Sequence, residues 1–156
     1  MSDRNDDRSE ATANPSVVFG EPGAGAGAFQ RSRASTLSVA DLVARLRTAI
    51  EAADLWVLHE IDPQMLLRRG GYAISPARQI LFFHPRLMVR LLAADPAALL
   101  EAPLKFAVFE RPDGGVEVRW IDPAAAFARY GDPGLAELGA ELAAVSDAIA
   151  TAALEG

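Results

Sequence analysis

Two histidines stand out because each ends an apolar, strand-like segment. His59 follows "LWVL" and His84 follows "ILFF", and the chain contains no other histidine. Imidazole is the commonest protein metal ligand and the side chain best suited to proton transfer near neutral pH. If the two strands are neighbours, both rings can face one ligand. The simpler interpretation is that each ring hydrogen-bonds to the backbone or to a partner chain where its strand ends.

A metal site at these histidines would need a third or fourth donor, for which Glu101 or water is the candidate. The sequence has neither an HxH nor an HExxH spacing. Glu60 cannot easily join His59, because adjacent strand residues point to opposite faces. We therefore assign no cofactor and no metal site. A histidine-based enzyme, or a metal or haem protein using His59 and His84, is kept as an alternative.

Three cations form the second candidate group. Lys105 and Arg119 project from one face of a predicted hairpin, where convergent cations can hold a carboxylate or a phosphate. Arg86 lies at the start of a predicted helix, where the dipole disfavours a cation, so an anionic partner is expected. The competing interpretation is ordinary salt bridging to Glu101, Glu110 or Glu117.

Length, charge and composition exclude several classes of protein. The 156 residues, 51% of them hydrophobic, suffice for one domain with one core. A formal net charge of -6 without a basic cluster argues against nonspecific nucleic-acid binding. The absence of cysteine excludes disulfides and thiolate metal sites. With no signal-like start and no long apolar run, we expect a cytoplasmic protein that binds neither nucleic acid nor membrane.

The first 27 residues are expected to form a disordered tail, and residues 28–156 a single domain. The tail is rich in small and charged residues and ends in "GEPGAGAGA", which has almost nothing to bury. That glycine-rich stretch lacks the GxxxxGK[ST] pattern of a phosphate loop, so we interpret it as a linker. "SVVF" offers only weak evidence for an edge strand.

The domain pattern predicts an α+β fold with helices packed on one face of a largely antiparallel sheet. A weak first strand precedes a helix over 39–53, which Ser38 caps. Strands are predicted over 55–61 and 78–84, with a short helical segment between them and a helix after Pro85. A hairpin then joins "LKFAVFE" to "GVEVRWI" through Asp113-Gly114, and Asp132 caps the final helix.

The strands over 55–61 and 78–84 are apolar on both faces, whereas one layer of helices covers only one face of a sheet. A second subunit that covers the other face would explain the pattern. This is the main reason to expect a homodimer.

Five segments occur in an order and at gaps that resemble a bacterial family known only as domain of unknown function 302. The strongest part is Pro103-Leu104-Lys105, which opens the hairpin, with Asp122-Pro123 after it. The resemblance implies a TATA-binding-protein-like fold, a curved sheet of β-α-β-β-β-β-α type, and often a dimer. The family has no established activity, so it supplies no catalytic residues. The segments, spread over roughly 28–154, are "LHEID", "ILFFHPR", "EAPLKFAVFE", "DGGVEVRWIDP" and "FARYG".

These observations predict a small homodimeric module that binds a small anionic or amphipathic molecule. Two other functions stay open beside it, the histidine-based enzyme or metal protein and a protein-interaction module. The residues expected to line the ligand site are His59, His84, Arg86, Lys105 and Arg119.

Overall fold

The computed structural model describes residues 13–23 and 29–156. Most of the predicted disordered tail lies outside these ranges. Residues 13–23 are called here the N-terminal strap. Val17 N donates to Ala73 O at 2.8 Å, and Ala73 N donates to Pro15 O at 3.0 Å. "SVVF" contributes one isolated parallel bridge, Ser16 with Ala73.

Five strands and five α-helices follow the strap. The strands are β1 (Gln30–Ser35), β2 (Trp56–Ile61), β3 (Ala77–Phe83), β4 (Leu104–Glu110) and β5 (Val116–Ile121). The α-helices are α1 (Val39–Ala52), α2 (Pro63–Arg69), α3 (Pro85–Ala94), α4 (Pro123–Ala128) and α5 (Pro133–Glu155). A 3-10 helix, Pro96–Glu101, connects α3 to β4.

The strands form one antiparallel sheet in the order β1-β5-β4-β3-β2, so the α+β prediction is confirmed. Its inner face is apolar because alternate residues of each strand point the same way. Phe106 in the middle stacks on Phe82 with ring centroids 4.9 Å apart, and meets the edge of Trp120 at 5.4 Å. This aromatic row crosses three strands, and each such pair adds about 0.5–1.5 kcal/mol beyond area burial.

The helices pack on the inner face, and α5 contacts α1, α3 and α4. The starts of α1 and α5 are fixed by the capping residues that the sequence pattern indicates. Ser38 Oγ accepts a hydrogen bond from Asp41 N at 3.1 Å, and Asp132 Oδ1 accepts one from Leu135 N at 2.9 Å. Within the described ranges, no helix is long and apolar enough to cross a membrane.

The outer face of the sheet is mixed in character and partly covered by the N-terminal strap. The strap is held at Ala73 and again at Arg119, whose Nη1 donates to Gly23 O at 3.0 Å. Glu117, two residues before Arg119 on the same face, is only 5% exposed. The strap therefore contacts the outer face at β5, whereas the cover expected from a second subunit concerns β2 and β3 and stays a prediction.

The closest approach of α4 to α5 depends on Gly139. A Cβ atom there would lie 2.8 Å from Pro123 O and 2.9 Å from the Phe127 Cβ. In an open helix, replacing glycine by alanine gains about 1 kcal/mol, whereas overpacking costs about 1–3 kcal/mol. We expect Gly139→Ala to lower the melting temperature in a thermal unfolding experiment. An unchanged or higher melting temperature would show that the two helices are not in tight contact.

Candidate functional site

The hairpin of β4 and β5 opens into a fork. The two strands pair only from Ala107↔Arg119 to Glu110↔Val116, next to the turn. Beyond Ala107, the first three residues of β4 continue to pair with β3, and the last two residues of β5 pair with β1. The sheet is therefore split between Leu104 and Ile121, although each strand keeps its other neighbour.

A cavity of about 370 Å³ occupies this fork. Its volume falls in the range of small-molecule sites, roughly 300–1,000 Å³. Its wall is formed by residues of the fork, of the segment before β1 and of the helices beneath the sheet. The lining residues are Phe29, Gln30, Phe82, Leu100, Glu101, Pro103, Leu104, Lys105, Ala107, Arg119, Trp120, Ile121, Pro123, Ala126, Phe127 and Ser146.

Backbone polar groups border the cavity as well as side chains. In an antiparallel ladder, alternate residues direct both N–H and C=O toward the same neighbouring strand. Because the ladder stops at Ala107↔Arg119, at least one residue on each side of the fork presents these groups to the gap. A ligand or water that enters the cavity can satisfy them.

The inner wall of the cavity is aromatic and buried. Phe82 and Phe127 are almost fully buried, and Trp120 is buried beside them. Phe127 is held there by α4, which begins where the Asp122 carboxylate caps it by accepting from Ala124 N at 2.9 Å. The other oxygen of Asp122 accepts from Arg31 Nη2 at 3.2 Å. Helix α4, which follows β5, thus fixes the position of Phe127 in the inner wall of the cavity.

The two cations of the hairpin line this cavity, but they differ in their partners. Arg119 donates from Nε to the Glu117 carboxylate and from Nη1 to Gly23 O and to Gln30 Oε1 at 3.1 Å. Lys105 is exposed, and it forms no ion pair with any residue of the described ranges. Of its two predicted partners, Glu101 binds Arg129 and Tyr130, and Glu110 forms no ion pair with a described residue, so Lys105 is the cation available to an anion.

Glu101 is held at the rim of the cavity by two donors. Its Oε1 accepts from Arg129 Nη2 and from the Tyr130 hydroxyl, both at 3.0 Å. Burial raises the pKa of Tyr130 above its ordinary value, and the hydrogen bond to the Glu101 carboxylate and its charge act in the same direction. The rim therefore combines the Glu101 carboxylate with the lysine ammonium, and Tyr130, outside the cavity lining, donates to that carboxylate.

His59 lies in β2 and His84 directly follows β3, and these strands are neighbours as expected, but neither histidine lines this cavity. His59 is exposed on the outer face, where it pairs with Leu81, and Leu81 pairs with Lys105 on its other side. His59 and Lys105 are therefore two strand spacings apart, about 10 Å. His84 caps α3, where its Nδ1 accepts from Arg86 N at 3.1 Å, and its ring meets the edge of Trp56 at 5.1 Å. Three or more metal-ligating side chains do not cluster anywhere in the described ranges.

Arg86 lies away from the cavity and has the anionic partner that its position required. Its Nη1 donates to the carboxylate of Asp54 at 3.0 Å and to the Asp54 carbonyl at 2.8 Å. It borders a second hollow of about 230 Å³ with the Arg90–Glu141 pair. The hydrogen bond from Arg90 is the main cause that lowers the pKa of Glu141, and the pKa of Arg90 is raised by the same bond.

Comparison with known proteins places the chain by its sequence. Residues 31–153, about four fifths of it, match the family described as "Domain of unknown function DUF302". The chain belongs to the DUF302 family.

The DUF302 fold is seen in a solved structure as well. An uncharacterized conserved DUF302 protein from Bacillus stearothermophilus superposes with a TM-score of 0.71 at 18% sequence identity. The match covers 83% of this chain and 98% of that one, and at this identity it shows the fold alone. A search of curated proteins found no match.

One signal in this DUF302 sequence singles out Lys105 more sharply than the hairpin alternation does. Lys105 is the only lysine of the chain, which has 14 arginines. Residue spacing selects Lys105 and Arg119 alike, because both lie on one face of the hairpin. The counts of lysine and arginine distinguish the two residues, because only residue 105 is a lysine. The cavity itself has no such signal, because it depends on where the β4–β5 ladder ends.

The hydrogen bond between Tyr130 and Glu101 predicts a shifted phenol titration. In a Tyr72→Phe background, Tyr130 is the only phenol, and its absorbance should titrate above the ordinary pKa of about 10. Since the folded pKa is raised, this contribution to stability is present below pH 10 and lost as pH rises through the folded pKa. Adding Glu101→Gln should lower the midpoint, and an unmoved midpoint would contradict the contact.

Proposed function

We propose that this DUF302 protein binds a small amphipathic anion in the cavity of the β4–β5 fork. The observation that carries the proposal is that Lys105, which has no ion-pair partner among the described residues, meets apolar aromatic walls in a space of small-molecule size. Pockets of this kind bind through apolar contact, while a few polar groups fix the ligand's orientation. The anionic end of the ligand contacts Lys105, and its apolar end lies toward Phe82 and Phe127.

Charge selectivity follows from how the nearby groups are engaged. Arg119 already binds a carboxylate, so its charge is largely compensated. The Glu101 carboxylate is likewise compensated by Arg129. Lys105 therefore supplies the net positive charge at the rim, and a neutral ligand of the same shape gains nothing from it. The previously expected site residues His59, His84 and Arg86 are not needed by this arrangement.

Tryptophan fluorescence can test the proposal, because one of the two tryptophans lines the cavity. In a Trp56→Phe background, Trp120 is the only reporter. Titration with 3-phenyllactate and with octanoate should change its emission saturably, and the matched neutral amides should bind more weakly. Lys105→Met should weaken binding of the acids roughly tenfold to a hundredfold. This is the loss expected when a hydrogen bond to a charged group, which contributes about 1.5–3 kcal/mol, is removed.

Arg68→Met is the matched control, since it removes an exposed cation on α2 without touching the cavity. Acid binding that survives Lys105→Met, or that falls equally in both variants, would refute the assigned site. No binding of any acid would refute the proposed function.

We further propose that the protein is a homodimer that associates through the β2 side of the sheet. β2 is an edge strand, and it exposes Trp56 at 54% and Leu58 at 46%. An unpaired edge with exposed apolar side chains favours pairing with another chain. This face is distinct from the fork, so the binding proposal does not depend on it.

Light scattering coupled to size exclusion tests the homodimer. Leu58→Asp should convert a dimer to a monomer, because a charge would be buried at the contact. Val89→Asp, at an apolar position on α3 that is 68% exposed, is the control and should leave the mass unchanged. A wild-type chain that elutes as a monomer over the accessible concentration range excludes the homodimer.

A further inference from the structure

The chain uses lysine at a single position, and that position borders the cavity. Arginine fills the ion pairs of the described residues, including those at Arg86, Arg90 and Arg119. A guanidinium holds a carboxylate at least as well as an ammonium does, and it binds in a bidentate manner. Charge alone therefore gives no reason for lysine at residue 105.

Lysine differs from arginine in having a primary amine that can lose its proton and act as a nucleophile. Uncharged amines add to carbonyl groups, and lysine forms Schiff bases in this way, whereas arginine stays protonated. Two conditions for that chemistry are present at residue 105. The amine is not tied to a carboxylate of the described residues, and it borders a cavity with apolar walls that can hold the reacting molecule.

Although Glu117 compensates most of the charge of Arg119, this guanidinium can still donate a hydrogen bond to the acid group once the lysine nitrogen is used for bonding. Arg119 donates from Nε and Nη1, but its Nη2 makes no hydrogen bond within the part of the chain that the structure describes. Residue 119 lies opposite Ala107, two positions from Lys105, so the two side chains are diagonal neighbours on the outer face. One small molecule can contact both.

We propose that Lys105 forms a reversible imine with an oxo acid that carries an apolar substituent. This inference rests on the proposed binding function and names its ligand class. The neutral Nζ adds to the carbonyl carbon, and the carbonyl oxygen takes up a proton to give a carbinolamine. Loss of that hydroxyl as water and of the remaining N–H proton to solvent leaves a C=N bond. Amine and carbonyl thus become imine and water, and no oxidant or reductant is required.

The chain offers an unusually clean test, because its primary amines are Lys105 and the amino terminus alone. The probe is phenylpyruvate with sodium cyanoborohydride, which reduces an imine to a stable secondary amine. Tryptic cleavage after arginine, which the Arg111–Pro112 bond resists, releases residues 91–119, which contain Lys105, so mass spectrometry assigns the adduct. Without a site, the terminal amine reacts faster, since its ordinary pKa of about 7.7–8.0 lies below the value of about 10.4 for lysine.

We expect the adduct at Lys105 to form faster than the terminal adduct, to saturate with phenylpyruvate concentration, and to be suppressed by 3-phenyllactate, which has no carbonyl. Lys105→Arg should keep 3-phenyllactate binding within a few-fold, as read from Trp120 fluorescence, and should show only the terminal adduct. Circular dichroism of that variant verifies its fold.

The outcomes separate this inference from the proposed function. If 3-phenyllactate binds and Lys105 reacts no faster in the folded chain than in the chain unfolded by guanidinium, the imine is overturned and the binding site stands. If 3-phenyllactate does not bind and Lys105 is not labelled, both are overturned. Saturable labelling at Lys105 that 3-phenyllactate suppresses supports both.

Discussion

The early end of the β4–β5 ladder is the constraint on which the site depends. Two strands joined by a tight turn would ordinarily pair along their whole length. Here each strand is also bound to an outer neighbour, β4 to β3 and β5 to β1, and the hairpin pairs only from Ala107↔Arg119 to the turn. The resulting fork creates a cavity inside a sheet without an inserted loop or a domain boundary. The fork leaves backbone N–H and C=O groups of β4 and β5 without a partner strand, and a bound molecule can form hydrogen bonds with them.

The surrounding structure divides the charged side chains into two groups. Most arginines serve the fold, since they join the strap, the helices and the loops to the sheet through carboxylates and carbonyls. Exposed pairs of this kind contribute little individually, about 0–1 kcal/mol each. Lys105 has no such structural partner among the described residues, and it lies where the sheet opens. The proposed chemistry of the protein therefore involves one amine, while the fold rests on apolar packing around Phe106.

The sequence predicted most of the secondary structure because each signal is local. Ser38, Asp132 and Pro133 mark helix starts, and Asp113-Gly114 marks the hairpin turn, where Gly114 has φ +86°. The site was predicted less completely. Lys105 and Arg119 lie together at the cavity, whereas His84 caps a helix and Arg86 binds Asp54. Alternation assigns a residue to a face, but it does not say which residues on that face border a hollow.

The amino-acid sequence by itself determined most of the elements, the capping residues of α1 and α5, the apolar face of the hairpin and the presence of a single lysine. Those features depend on contacts within a few residues or on composition alone. The tertiary structure decided where the β4–β5 ladder stops, which side chains line the fork, and that the strap reaches Arg119 through Gly23. These depend on competition between neighbours that are distant along the chain, and no local pattern records which neighbour a strand keeps.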